Sequence, residues 1–366
     1  MTPYIFCEPF AGSAAVTYFL LGAKPPISYL GSKSGYAPTI AACLGLSSRQ
    51  RPAGIVLGEI GPMAAVHAVL GGATGSAAEV AGMALVAGWS FRGGKDDTTF
   101  DPSRAIPDPD GKRRALTLEG LAGRSAALPH PRAAEVAAII RGWAGEEPRL
   151  LWERLRREGW PSLMPVPGGR WLGPEGVGEV ARWVWSASQS HRPAQPESGL
   201  YVRTSGAQNV DTLTTAARLA ALPPFPPLAV WQGSADALAL PNDLSGWVVY
   251  LDPPYLGDGS RKITGYPHGT CSRETVVRLA RAWSERGATV AISECVGLAG
   301  DLGAGWHEVE ITHGRRGQKR TFSVQKAEWL TMNRPSQHVS HRGEGTFDDW
   351  LLWAQSNTEQ GERLHA

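Results

Sequence analysis

Cysteine is scarce in this chain: four residues in 366, Cys7, Cys43, Cys271 and Cys295, with no pair in C-x-x-C spacing. That pattern argues against a cysteine-built zinc site or a dithiol redox pair. Scattered single cysteines fit a reducing compartment, where they serve as small core side chains. Long hydrophobic runs are also missing; none approaches the roughly 18 apolar residues that a membrane span requires. Neither sign of charge dominates: 36 Lys and Arg against 34 Asp and Glu leave a net charge of +2. Any nucleic-acid contact must therefore come from a local positive surface rather than from the chain as a whole. Strand-like residues begin at Tyr4, which leaves no room for a secretory leader, so a cytoplasmic protein is expected.

What is abundant is glycine and proline, 44 and 28 residues, concentrated between Gly71 and Pro227. The length allows two domains, or one with a large insertion, and an apolar fraction of 42% suits a globular chain with a substantial core.

The stretch with the most chemistry is Asp252-Pro253-Pro254-Tyr255. The run before it, Trp247-Val248-Val249-Tyr250-Leu251, reads as a buried strand of a parallel sheet. The prolines end that strand, because neither can donate to a ladder. An acid, two rigid residues and an aromatic ring then stand at the carboxyl end of a central strand, the edge at which open α/β sheets bind ligands. The Asp252 carboxylate and the Pro253 carbonyl could each accept a hydrogen bond from an exocyclic amine, with Tyr255 as a stacking face. A strand-ending turn without chemistry is the other reading of these four residues.

Tyr4-Ile5-Phe6-Cys7 is the first strand candidate. Pro9, Phe10, Ala11, Gly12 and Ser13 then turn into an apolar helix that ends near Leu21-Gly22. Small residues in a strand-to-helix turn let a ligand approach the backbone, and the helix start offers free N–H groups. The turn lacks G-x-G-x-x-G, so a ligand-free βα turn stands beside the nucleotide-binding reading. Lys33 lies in a loop rich in glycine and serine that misses the Walker spacing; it is either a phosphate ligand or a solvated turn lysine. A helix is expected over 38–44. The strand Gly54-Ile55-Val56-Leu57-Gly58-Glu59 ends in an acid placed to bind ribose hydroxyls, or to cap the helix expected over 62–70.

Between 89 and 227 the alternation of strand and helix is lost, and charged helical stretches, loops and tryptophans take over. This segment reads as an inserted, mainly helical domain. Its tryptophans fit a core better than a base-stacking platform. Pro223-Pro224-Phe225-Pro226-Pro227 reads as a stiff exit. A strand over 228–232 leads to Asp236, a second acid near the same sheet edge that could accept from an adenine amino group. A helix over 272–286, a strand over 289–293 and two further strand candidates over 306–312 and 327–333 complete the order. The basic loop between the last two carries Arg315, Arg316, Lys319 and Arg320. It is either a phosphate clamp or a solvated hairpin.

Taken together, these pieces resemble the Dam-like (D12 class) DNA adenine N6-methyltransferases. Glu8-Pro9-Phe10-Ala11-Gly12-Ser13-Ala14-Ala15-Val16 resembles that family's cofactor loop, with Ala14 at a usual glycine position. Tyr29-Leu30-Gly31-Ser32-Lys33 resembles its Tyr-x-Gly-Gly-Lys motif, with Ser32 for the second glycine. Glu59 matches the ribose-binding acid. Leu200-Tyr201-Val202-Arg203 with Gly206 and Asn209-Val210 is similar to the stretch that closes the family's recognition insert. The Tyr-x-Gly-Gly-Lys motif precedes the cofactor loop in the family; here it follows the first helix, so it is either permuted or an accidental match.

The resemblance implies a Rossmann-like methyltransferase sheet of class α/β. Residues 1–88 and 228–335 would form the catalytic domain, 89–227 a target-recognition insert and 336–366 a tail. It further implies S-adenosylmethionine as cofactor, held by Pro9, Phe10, Ala11, Gly12, Ser13, Lys33, Glu59 and Asp236. Double-stranded DNA is the implied partner, met by Arg203, Arg315, Arg316, Lys319 and Arg320. Catalysis would fall to Asp252, Pro253, Pro254 and Tyr255, with no metal and no membrane, in a bacterial or phage-infected host cell. Cytosine N4 methylation, RNA methylation and a non-catalytic DNA-binding protein that keeps the fold are the alternatives.

Overall fold

The computed structural model describes residues 4–27, 32–73, 77, 79–82, 131–159, 176–189, 212–254, 271–312 and 327–336. Its centre is a seven-stranded sheet built from β1 (Ile5–Glu8), β2 (Gly54–Glu59), β3 (Leu228–Gln232), β4 (Trp247–Leu251), β5 (Thr289–Glu294), β6 (His307–Glu310) and β7 (Trp329–Met332). The spatial order is β3-β2-β1-β4-β5-β7-β6. The first five strands run parallel, and β7 runs antiparallel to both of its neighbours. The chain therefore winds outward from β1 to β3, returns to the centre at β4 and winds the other way. β1 and β4 flank the point of reversal, which is where such sheets open a crevice at their carboxyl edge.

The central strands are apolar on both sides because both sides are covered. On β4, Trp247, Val249 and Leu251 share a cluster with Val276, Leu279, Ala280 and Trp283 of α8 (Arg273–Glu285). The alternate residues Val248 and Tyr250 face α1 (Ala15–Leu20) and α2 (Ala37–Cys43), through Val16, Leu20, Tyr36 and Ile40. This is the period-two division that a pleated strand imposes. Full burial of residues such as Phe6, Leu57 and Ile40 contributes roughly 1.5–3 kcal/mol each. α8 starts where the Ser272 hydroxyl accepts from the Thr275 N–H and stops at Gly287, at φ 94°, the chemistry expected of its two ends.

Between α3 (Met63–Gly71) and β3 the described elements are α4 (Ala133–Gly142), α5 (Pro148–Arg157), α6 (Gly176–Gln189) and α7 (Thr212–Ala220). They pack chiefly on one another, and their apolar cluster extends onto α3: Met63, Val66 and Leu70 join Val136, Ile140, Leu151 and Trp185. Every residue of α3 is buried, because its other side lies on β2 and β3. Trp152, Trp183 and Trp185 are core residues, and Trp143 sits edge-on to Trp185. A last short helix, α9 (Ala299–Leu302), follows β5. Among the described residues, no helix is long and apolar enough to cross a membrane.

Candidate active site

Parallel pairing of β1 with β4 sets Cys7 beside Val249, so the turn after Glu8 and the acid after Leu251 leave the sheet as neighbours. Asp252 stands at that tip, 18% exposed, with its Oδ1 3.1 Å from the Nζ of Lys33. The same Nζ lies 3.4 Å from Oε1 of Glu328, at the start of β7. Because β7 is reversed, its beginning falls at the carboxyl edge of the parallel strands, beside the end of β5 at Glu294. Lys33 is only 5% exposed; of the two sequence readings, the solvated turn lysine is overturned. Its loop is anchored by two helix-start N–H groups, of Tyr36 and Ala37, which both donate to the Lys33 carbonyl at 2.8 Å.

The electrostatics follow from burial. Asp252 is pushed up to about 7, chiefly by loss of solvent; Lys33 opposes the rise, and Glu328 and Glu294 add to it. Glu8, fully enclosed, is pushed up to about 8 by burial, with hydrogen bonds from Thr17 opposing and Asp252 adding. The Glu8 carboxylate accepts from the Thr17 hydroxyl at 2.6 Å and from the Thr17 N–H at 3.3 Å, which locks the start of α1 to the end of β1.

The opening turn is held from three sides. Gly12 takes φ 46° and Ala14 takes φ 50°, a left-handed conformation that glycine adopts freely and that costs alanine roughly 1 kcal/mol. The Gly12 N–H donates to Oε2 of Glu59 at 2.8 Å, and the Gly61 N–H donates to Oε1 at 2.7 Å. The Gly12 carbonyl lies 2.9 Å from Nε2 of His67, whose Nδ1 is 3.4 Å from the Tyr18 hydroxyl. A carbonyl can only accept, so Nε2 carries the proton and Nδ1 is the acceptor for Tyr18. Burial holds His67 neutral, lowering its pKa to about 4. The Ser13 hydroxyl donates to that of Ser32 at 2.8 Å, so the loop of Lys33 and the opening turn touch.

Asp236 lies in the 3-10 turn Ala235–Ala237 beyond β3, half exposed, with one oxygen accepting from the Ser234 hydroxyl at 3.0 Å. The turn at Gly233 is tied to the tip of β2 by its N–H donating to the Glu59 carbonyl. Pro9, Phe10, Ala11, Gly12, Ser13, Lys33, Glu59, Asp252, Pro253 and Pro254 thus share the carboxyl edge, with Asp236 at its β3 end. Tyr255, Arg203, Arg315, Arg316, Lys319 and Arg320 lie outside the described residues.

Three groups at the edge were not singled out from sequence. Glu294 and Glu328 stand one at the end of a strand and one just before a strand, and only the reversal of β7 brings them together. His67 sits on a helix with no polar face to mark it. The acids around Asp252 suit a ligand with a cationic centre: among the described residues Glu8, Glu294 and Glu328 bear on it, against the one ammonium of Lys33. Comparison with protein-family models finds no match, and comparison with curated proteins finds none.

Proposed function

We propose that this chain is an S-adenosylmethionine-dependent methyltransferase that acts on the N6 amino group of adenine in DNA. The observation that carries the reading is the pairing of Asp252 with Lys33 beside the opening turn, at the reversal point of the sheet. The cofactor, when bound, supplies an electrophilic methyl group. Gly12 and Ser13 would let it approach the backbone, Glu59 would hold ribose hydroxyls and Asp236 an adenine amino group.

The remaining work belongs to the chain. Adenine inside a duplex cannot reach a recessed strand tip, so the base must be turned out, at a cost of a few kcal/mol. The ionised Asp252 and the Pro253 carbonyl would each accept a hydrogen bond from N6, and the Asp252 carboxylate would take the proton that N6 gives up on methylation. With both hydrogens held, the nitrogen lone pair has one direction left, so the rate gain is largely positional. Tyr255 supplies the stacking face in this reading, worth roughly 1–3 kcal/mol. Ionised Asp252 is the stronger acceptor, and Lys33 favours that state.

The test is incubation with duplex DNA and isotopically labelled cofactor, followed by mass spectrometry of the digested nucleosides. N6-methyladenine is expected from the wild type and none from Asp252→Ala, while Asp252→Ala retains cofactor binding by calorimetry. N4-methylcytosine in its place, or methylation of RNA alone, selects the corresponding alternative. Cofactor or DNA binding without any product selects the non-catalytic one.

A further inference from the structure

We infer that Glu328 is a positioning residue of this site: through Lys33 it fixes the place of the Asp252 carboxylate. The role assigned to Asp252 rests on the methyltransferase reading, while the linkage itself rests on geometry.

Lys33 ends a flexible four-carbon stem, and one carboxylate leaves such a stem several rotamers. Here the ammonium is held between two acids from different strands, Asp252 beyond β4 at 3.1 Å and Glu328 before β7 at 3.4 Å. The backbone that carries Glu328 is itself fixed. Its N–H donates to the Thr312 hydroxyl at 2.9 Å, its carbonyl accepts from the Ile311 N–H at 2.8 Å, and its side chain is 7% exposed. The Thr312 hydroxyl donates onward to Glu310 at 2.7 Å. The β6–β7 pair thus acts as a rigid post, and Lys33 as the strut between that post and the reacting edge.

Among the described residues, the groups that bear on Asp252 are Glu8 of β1, Lys33, Glu294 of β5 and Glu328. Tyr250, on the same strand, donates its hydroxyl to Ser293. Of these, Glu328 is the one joined to Asp252 by a shared cation, which distinguishes it from an acid that merely adds negative field.

The experiment follows the Asp252 carboxyl by carbon-13 NMR in the full chain, its signal assigned by its loss in Asp252→Asn. Glu328→Gln removes an anion, so the Asp252 midpoint is expected to fall by about half a pH unit or more; Lys33→Met is expected to raise it. In turnover, Glu328→Gln is expected to lower kcat about fivefold or more, with KM for the cofactor within about twofold. That loss occurs although more Asp252 is ionised, which a purely electrostatic role would not produce. Glu328→Asp keeps the charge and is expected to fall between. An unchanged Asp252 titration together with an unchanged kcat in Glu328→Gln overturns the proposal. The titration needs no turnover, so a wild type that shows the linkage yet methylates nothing sinks the methyltransferase reading alone.

Discussion

Lys33 and Asp252 meet at 3.1 Å, one from the loop before α2 and the other from the tip of β4. Neither is near the other in sequence; α1 and α2 both pack on the side of the sheet that covers β1 and β4, and the loop before α2 meets the tip of β4 there.

Asp252 is pushed up to about 7, and its ionised form is the stronger acceptor for an amine N–H. The pH–rate profile is therefore expected to rise through about pH 7. In Lys33→Met the opposing charge is gone, so the rising limb moves to higher pH and the rate at neutral pH falls about tenfold or more. Lys33→Arg, which keeps the charge, leaves the limb nearer its original place. A limb at the same pH in Lys33→Met would break the link between this pair and activity.

Glu8 sets the alkaline stability. Its native pKa, about 8, lies above the ordinary 4.5, so between those values the native state holds a proton that the unfolded chain has released. Stability therefore falls as pH rises through that window, and Asp252, raised from 3.8 to about 7, adds in the same direction. Glu8→Gln cannot ionise. Its melting temperature is expected to match the wild type near pH 5 and to exceed it near pH 8.5. The wild type's loss from Glu8 between those limits is on the order of 3 kcal/mol. Parallel melting curves for the two proteins at every pH would refute the assignment.

Gly58 fits where no side chain can. A Cβ there would lie 2.9 Å from the Pro9 carbonyl oxygen and 3.0 Å from Pro9 Cα, both backbone atoms, and the Ala11 N–H already binds the Gly58 carbonyl at 2.8 Å. Gly58→Ala must displace the opening turn, at a cost of about 1–3 kcal/mol, and is expected to weaken cofactor binding more than it weakens the fold. Ala14→Gly relieves the left-handed strain while losing a buried methyl, so its stability is expected to change by less than about 1 kcal/mol. Thermal melts and cofactor calorimetry on both variants check the pair.

His67→Phe keeps the ring and removes the donor to the Gly12 carbonyl. Loss of that partner is expected to cost about 1–3 kcal/mol and to loosen the turn. Neutral His67 has a native pKa of about 4 against 6.5 unfolded, so its contribution is present above about pH 6.5 and is lost as pH falls through about 4. The stability gap between wild type and His67→Phe is expected to narrow over that window; a constant gap would exclude a histidine held neutral by burial.

The parallel strands were legible because burial on both faces leaves an unbroken apolar run. Gly54–Glu59, Leu228–Gln232 and Trp247–Leu251 stand where their side chains predict. Helices α2, α3 and α8 were legible to within a residue, since caps and periodicity are local: Ser272 and Gly287 bracket α8. Asp252 could be singled out because its neighbours, two prolines after a strand, are contiguous with it.

The partners of these groups were decided by the tertiary structure. Lys33 looked displaced in the chain, yet the Ser13–Ser32 hydrogen bond sets its loop against the opening turn. Glu328 acquired its place when β7 reversed direction between β5 and β6. Glu59 was legible as an acid at a strand end, but that it clasps Gly12 and Gly61 was not. Secondary structure follows from interactions over a few residues, so the amino-acid order alone determined it. An ion pair's strength and a carboxyl's proton affinity depend on distance and on exclusion of water, and for residues far apart in sequence both arise only when strands from separate parts of the chain lie side by side.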